Sequence, residues 1–449
     1  MSQTTVIRNA QLVNEGRITE SDVLLKGGRI EKIAAGIQAP AGADIVDANG
    51  RHLLPGMIDD QVHFREPGLT HKGDFYSESR AAIAGGVTSY MEMPNSKPPT
   101  TNIEQLEWKY ARAAETSAAN FGFYFGATND NIDNIRALDP SMACGVKVFM
   151  GASTGNMLVD NASTLAAIFR DSPVLIATHC ESTPMIMANM KQAMTRYGKN
   201  IPVTEHANIR STDACYASSE LAVALAKKHQ SQLHVLHIST ARELDLFEPG
   251  PIAGKSITAE ACVHFLHFDD SQYAQYGNLI KCNPAIKSAS DRDALIAAVA
   301  DGRLDIIATD HAPHTIEEKA EDSYLTAPSG LPLVQDVLVA ALELVHEGKL
   351  DLHTVVRGIT HNPARRFSVV DRGFIREGYF ADLVLVDMNG STEVTREKVL
   401  SRCGWSPFEG RRFQSSIAAV WVNGALAFDG NKVIEHGAAE RLQFNHKPR

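Results

Sequence analysis

The chain is short of the features that would mark a membrane, secreted or nucleic-acid-binding protein. No apolar run approaches the ~20 residues needed to cross a bilayer. The first seventeen residues, MSQTTVIRNAQLVNEGR, lack the charged-then-apolar order of a secretory leader. Cysteine is scarce and scattered, six residues at positions 144, 180, 215, 262, 282 and 403 with no CxxC spacing. That argues against a disulfide scaffold and a cysteine zinc cluster, and predicts reduced thiols in a cytoplasmic protein. Basic residues are outnumbered, 43 against 53, for a net charge of −10. A non-specific nucleic-acid binder is therefore not expected. Neither GxGxxG nor a Walker A motif occurs, so nothing supports a dinucleotide fold or a P-loop. What remains is a globular composition, 44% hydrophobic and 21% charged, in 449 residues. At ~150 residues per domain that length predicts two or three domains.

The two ends resemble each other. TTVIRNAQLV, SDVLL and RIEKIAA near the start alternate apolar and polar residues, as do ADLVLVD, SIAAVWVNGALAFDG and KVIEHG near the end. One small β-sandwich built from residues 1–55 plus 363–449 is expected. The middle, 56–362, alternates short apolar runs with amphipathic stretches such as 104–116, 183–197, 213–228 and 290–300. The runs are MIDDQVHF (57–64), VTSYMEM (87–93), FGFYFGA (121–127), GVKVFM (145–150), PVLIATH (173–179), LHVLHI (233–238), SITAEA (256–261) and LDIIATD (304–310). Eight β/α units with buried strands predict a (β/α)₈ barrel, with an open doubly wound sheet as the alternative.

In such a barrel the functional side chains belong at the C-terminal ends of strands. His179 and Asp310 end two of the runs, His63 and His237 lie at the ends of two more but for one residue, and Lys147 lies inside a fifth. A single histidine beside an apolar strand is ordinarily a hydrogen-bonded core or surface residue. Three that end different strands of a closed barrel can converge, and neutral imidazole suits zinc-type ions. Asp310 adds a carboxylate, with a helix cap as its ordinary role. Lys147 between Val146 and Val148 is costly if charged and buried. Its ordinary role is to snorkel to the rim, and its functional one is a neutral amine able to capture carbon dioxide. His234 alternates with His237 and is expected to face the helices. His264 and His267 follow the seventh run without an assignment.

PGMIDDQVHFREPG, EMPNSKPPT, GVKVFMG, ATHCE, HVLHIST and ATDHAPH together resemble the cyclic amidohydrolase branch of the amidohydrolase superfamily, and within it most closely the dihydroorotase family. The likeness extends over nearly the whole chain. It implies a zinc enzyme with one or two ions per subunit. His63 and Asp310 would bind the more buried ion and His179 and His237 the second, with Lys147, N6-carboxylated or not, between them. It implies that Arg65 and Asn95 hold a substrate carboxylate and that Asn283 and His314 contact the carboxylate or ring. Asp310 would be the catalytic base and acid. The implied reaction is the reversible cyclisation of N-carbamoyl-L-aspartate to dihydroorotate, a step of pyrimidine synthesis. The implied partners are that small-molecule substrate, no nucleic acid and no membrane; a homodimer is compatible with the family. One position departs. The family has His-x-His at the first strand end, where this chain has Gln61-Val62-His63. A neutral amide oxygen is a harder and weaker ligand than imidazole for zinc. Three outcomes stay open: two ions, one ion on the His179/His237 side, or a catalytically silent homologue with a structural role. A related hydrolase of hydantoin, dihydropyrimidine or allantoin is the further alternative, against which Arg65 and Asn95 argue.

Overall fold

The computed structural model describes residues 4–151 and 157–446. All eight apolar runs of the middle segment become parallel strands, and they close into a barrel. In order these are Met57–Val62, Val87–Glu92, Asn120–Phe123 continued by Phe125–Gly126, Val146–Phe149, Ile176–His179, Leu233–Val235, Ile257–Cys262 and Ile306–Ala308. The third run bends at Tyr124, whose amide still bonds the second strand at Glu92 O (3.1 Å) while that of Phe125 turns to Gly145 O (3.0 Å). The seam between the first and eighth strands is closed by His63 N to His311 O (2.7 Å) and by the Val62–His311 bridge. Asp59 reinforces the seam, accepting from the amide and the hydroxyl of Thr309 at 3.2 and 2.6 Å. Closure leaves no strand edge and rules out the open sheet.

The expected amphipathic stretches are the helices Ile103–Thr116, Thr183–Tyr197, Thr212–His229 and Ala289–Asp301. Three of them begin at side-chain caps that the sequence supplies: Asn102, Ser211 and Ser288. Among the described residues no helix is long and apolar enough to cross a membrane.

The two ends of the chain share one mostly antiparallel sheet. Its order runs Ala425–Phe428, Ser416–Val422, Leu383–Asp387, His52–Pro55, Thr4–Asn14, Arg17–Lys26 and Arg29–Ala34, with Asp44–Asp47 beside Thr4–Asn14. Ile7, Leu12, Val23, Leu53, Leu383 and Trp421 give it a core of its own. The stretch between its later strands reaches back to the barrel mouth. There Trp405 Nε1 donates to His314 O (2.8 Å), and Ser406 donates to the buried Asp336. The alternation pattern gave no hint of this excursion.

Candidate active site at the barrel mouth

The C-terminal ends of the strands bring five of the expected groups together. His179 closes the fifth strand, and His237 lies two residues beyond the sixth in a left-handed turn (φ 43°). Their rings meet edge to face with centroids 4.7 Å apart, and His179 Nδ1 lies 3.0 Å from His237 Nε2. His179 Nε2 is 2.9 Å from Glu181 Oε2, a buried carboxylate also paired with Arg210. Glu181 can only accept, so the proton sits on Nε2 and Nδ1 offers a lone pair. Burial holds both imidazoles below their usual pKa, His237 well below.

Across the mouth, His63 Nδ1 lies 2.8 Å from Asn95 Oδ1 and its Nε2 lies 3.0 Å from Asp310 Oδ1. Asp310 also stands in a left-handed turn (φ 50°), two residues past the eighth strand. Burial would raise its pKa, but the contact with His63 and the surrounding imidazoles outweigh it and hold the carboxyl well below the usual range. Lys147 projects from the fourth strand with Nζ 4.6 Å above the Phe149 ring. Burial pulls its amine down to about 8, against the opposing pull of Asp310 and Glu260. Its charge in turn depresses His63, His179 and His237.

The donor set fits a zinc-type cation. Bonds of ~2.0–2.1 Å in a tetrahedral shell leave two imidazole nitrogens ~3.3 Å apart. The observed 3.0 Å between His179 and His237 needs a shift of only a few tenths of an ångström. Gln61 takes a place that composition alone did not suggest. Its Nε2 donates to Asp310 Oδ1 (3.1 Å), and its oxygen faces the Cys262 thiol (3.8 Å). Because Asp310 is ionised and only accepts, the amide must present nitrogen rather than oxygen. Gln61 therefore orients Asp310 and does not offer a ligand atom on that side.

Arg65 is buried (9% exposed) in a left-handed turn (φ 70°). Its Nε donates to Pro313 O (3.0 Å) and its Nη2 lies 3.2 Å from His314 Nε2. Burial lowers it to about 10, and among the described residues it makes no ion pair. His314 is held in place by Lys72, Glu318 and Ser329 O, and burial followed by the Arg65 charge keeps its ring neutral. Asn95 gives its oxygen to His63, which leaves its amide hydrogens for another partner. Asn283 is not joined to the others by a hydrogen bond; its Oδ1 is buried without a partner among the described residues.

Two sets of residues went unread in the sequence. Glu181 was within sight in ATHCE, two residues after His179, where a strand-end carboxylate could have been read as its orienting partner. His234 corrects an expectation. It does not face the helices but lies inside the barrel, between Asp60 on the first strand (3.3 Å) and Glu260 on the seventh (3.1 Å). The first strand is not a neighbour of the sixth, so this contact crosses the interior. Burial pulls His234 down, but the two carboxylates outweigh it and raise the ring to about 9, so it stays protonated near neutral pH. His264 has both ring nitrogens buried without a partner among the described residues, and burial lowers it to about 4. The 311–330 segment is fastened to the body of the barrel by Lys319 Nζ donating to Lys281 O (2.9 Å) and by Tyr324 Oη, 2.8 Å from His206 Nδ1.

Comparison with known proteins agrees with this geometry. The amidohydrolase family model matches residues 52–427. A dihydroorotase of Halobacterium salinarum is 35% identical over 95% of this chain and 97% of its own. An allantoinase of Bacillus velezensis is 29% identical over 98% of this chain and 97% of its own. Among solved structures, the L-hydantoinase (dihydropyrimidinase) of Arthrobacter aurescens superposes with a TM-score of 0.93 at 26% identity, covering 99% of this chain and all of that one (100%). The chain belongs to the amidohydrolase family. Within it, the chain is a hydrolase acting on cyclic amides.

Proposed function

We propose that the protein is a zinc-dependent dihydroorotase, interconverting N-carbamoyl-L-aspartate and dihydroorotate in pyrimidine synthesis. The observation that carries this reading is Arg65, a buried guanidinium with no carboxylate partner among the described residues, beside a neutral His314. A desolvated, unpaired cation is costly by several kcal/mol. A substrate that brings its own carboxylate offsets that cost through a bidentate, charge-assisted contact. Dihydroorotate carries such a group, whereas the hydantoin and allantoin rings do not.

His63, Asp310 and Lys147 would hold one cation, and His179 and His237, with carboxylated Lys147 between, a second. A divalent cation supplies what neutral amide hydrolysis lacks, by acidifying water and polarising a carbonyl. The chain's own groups do the rest. Arg65 and the free amide hydrogens of Asn95 fix the substrate carboxylate and so the ring. Asp310, ionised and steadied by Gln61, takes the proton of the attacking water as the new C–O bond forms. It delivers that proton to the ring nitrogen as the C–N bond breaks. Ring closure is the reverse, with Asp310 first accepting the amide proton. Gln61 favours one further reading, a silent homologue that has lost a ligand.

A dihydroorotate assay with metal analysis tests both. Arg65→Met is expected to raise KM for dihydroorotate with a loss in kcat/KM of ~10–100-fold, the worth of a charge-assisted pair. An unchanged KM overturns the carboxylate clamp. Bound metal with no turnover points to the silent homologue.

A further inference from the structure

We propose that Glu260 is a positioning residue for the His179/His237 half of the site. Its carboxylate, anchored from beneath by His234, fixes the main chain of His237 in the turn that aims its ring at His179. The inference rests on the reading that these two imidazoles hold a cation.

The sixth strand ends at Val235, and the next three amides find three different partners. Leu236 N bonds Thr178 O on the fifth strand (3.1 Å), and Ile238 N bonds Glu260 O on the seventh (2.9 Å). Between them, His237 N points to neither strand's main chain. It donates instead to the Glu260 side chain, Oε1, at 3.1 Å. Left-handed backbone is unfavourable for a residue with a Cβ and persists where surroundings impose it. Here the imposing contact is a carboxylate, which acts as a substitute ladder acceptor.

That carboxylate is itself immobilised. Its second oxygen lies 3.1 Å from His234 Nε2, and His234 Nδ1 is 2.8 Å from Thr258 Oγ1. Asp60 lies 3.3 Å from the same ring, and neither of its oxygens has a hydrogen-bond partner among the described residues. Asp60, His234 and Glu260 are each 0% exposed. The polar column continues toward the other half of the mouth. The Cys262 thiol is 3.9 Å from Glu260 Oε1 and 3.8 Å from Gln61 Oε1, and Gln61 reaches Asp310. A residue with no access to substrate thus sits behind both halves.

The test uses the full chain stripped of metal and titrated with Co²⁺ or Zn²⁺ alone, read by calorimetry and by the visible absorption of bound cobalt. In Glu260→Gln the amide oxygen still accepts from His237 N–H, but its NH2 meets the protonated His234 and forfeits that anchor, so affinity falls by ~3-fold, as in Thr258→Val and less than in Glu260→Asp. Glu260→Asp is too short to reach His237 and His234 at once. It is expected to weaken one cation equivalent by ~10–100-fold, the usual effect of losing an outer-shell partner, and to shift the cobalt spectrum. Thr258→Val leaves every barrel carboxylate in place and loosens only the His234 anchor, with a loss of ~3-fold. It also serves if the Glu260 variants do not fold. Unchanged affinity and spectrum in a folded Glu260→Asp, an equal loss in Glu260→Gln, or an unchanged Thr258→Val titration each overturn the positioning role. Wild-type protein that takes up no cation overturns this inference and the metalloenzyme reading together. Normal uptake with insensitive variants overturns only this one.

Discussion

The His179/His237 half of the mouth and the His63/Asp310 half differ in what stands behind their ligands. In the first, two imidazole nitrogens face each other at 3.0 Å, one with its tautomer set by Glu181 and the other with its backbone held by Glu260. Glu181 leaves a lone pair on His179 Nδ1, and His237, whose Nδ1 has no partner among the described residues, can answer it with the proton on Nε2. In the second, an imidazole faces an ionised carboxylate, and the third position is an amide whose nitrogen already bonds that carboxylate. One imidazole proton bridges the first half, and the Gln61 amide hydrogen answers Asp310 in the second. The contrast teaches that ligand identity alone does not rank two metal positions. The groups that fix each ligand's tautomer and main chain also count, two carboxylates in one half and two amides in the other.

The sharpest way to break the contrast is His237→Ala, which leaves His179 as the only imidazole of its half. Cation affinity there should fall by well over ~100-fold, beyond the loss from an outer-shell change. Titration of the metal-free variant with Zn²⁺ checks it, and an unaltered tight equivalent would place that cation elsewhere. Gln61→His acts on the other half. It exchanges an amide donor for a second imidazole and should tighten the weaker equivalent by ~10–100-fold. No gain would mean that His63, Lys147 and Asp310 already complete that shell.

The smallest expected effect is a pH dependence at Lys147, which lies between the halves. Only the neutral amine captures carbon dioxide. With its pKa drawn from 10.5 down to about 8, about a tenth of the amines are neutral at pH 7 and about nine tenths at pH 9. The sign is that of a cation disfavoured by burial, so carboxylation grows as pH rises through the folded-state value. Carbon-13 NMR of metal-free protein in labelled bicarbonate should show the carbamate signal rising over that window. A flat response would count against a reactive amine.

Much of this was legible before the fold was known. Eight apolar runs of strand length, separated by amphipathic stretches, are what buried parallel strands and covering helices require, and each run became a barrel strand. The strand-end histidines stood out because polar groups at such ends have few other reasons to be there. The interior polar column was not legible. In a strand buried on both faces, apolar residues do not mark which side looks inward, so the spacing of His234 from His237 pointed the wrong way and Asp60 and Glu260 gave no directional signal. The orientation of Gln61 was hidden for a different reason. A primary amide can present oxygen or nitrogen, and only its neighbours decide which.

The seam of the barrel has a consequence for synthesis of the chain. His63 and Asp310 touch across 247 positions of sequence, joined where the first strand meets the last. During translation, seven eighths of the cylinder can leave the ribosome with its mouth still gaping and half of its chemistry absent. The finished cavity, and any hydrolytic power it holds, comes into being only when the final stave arrives.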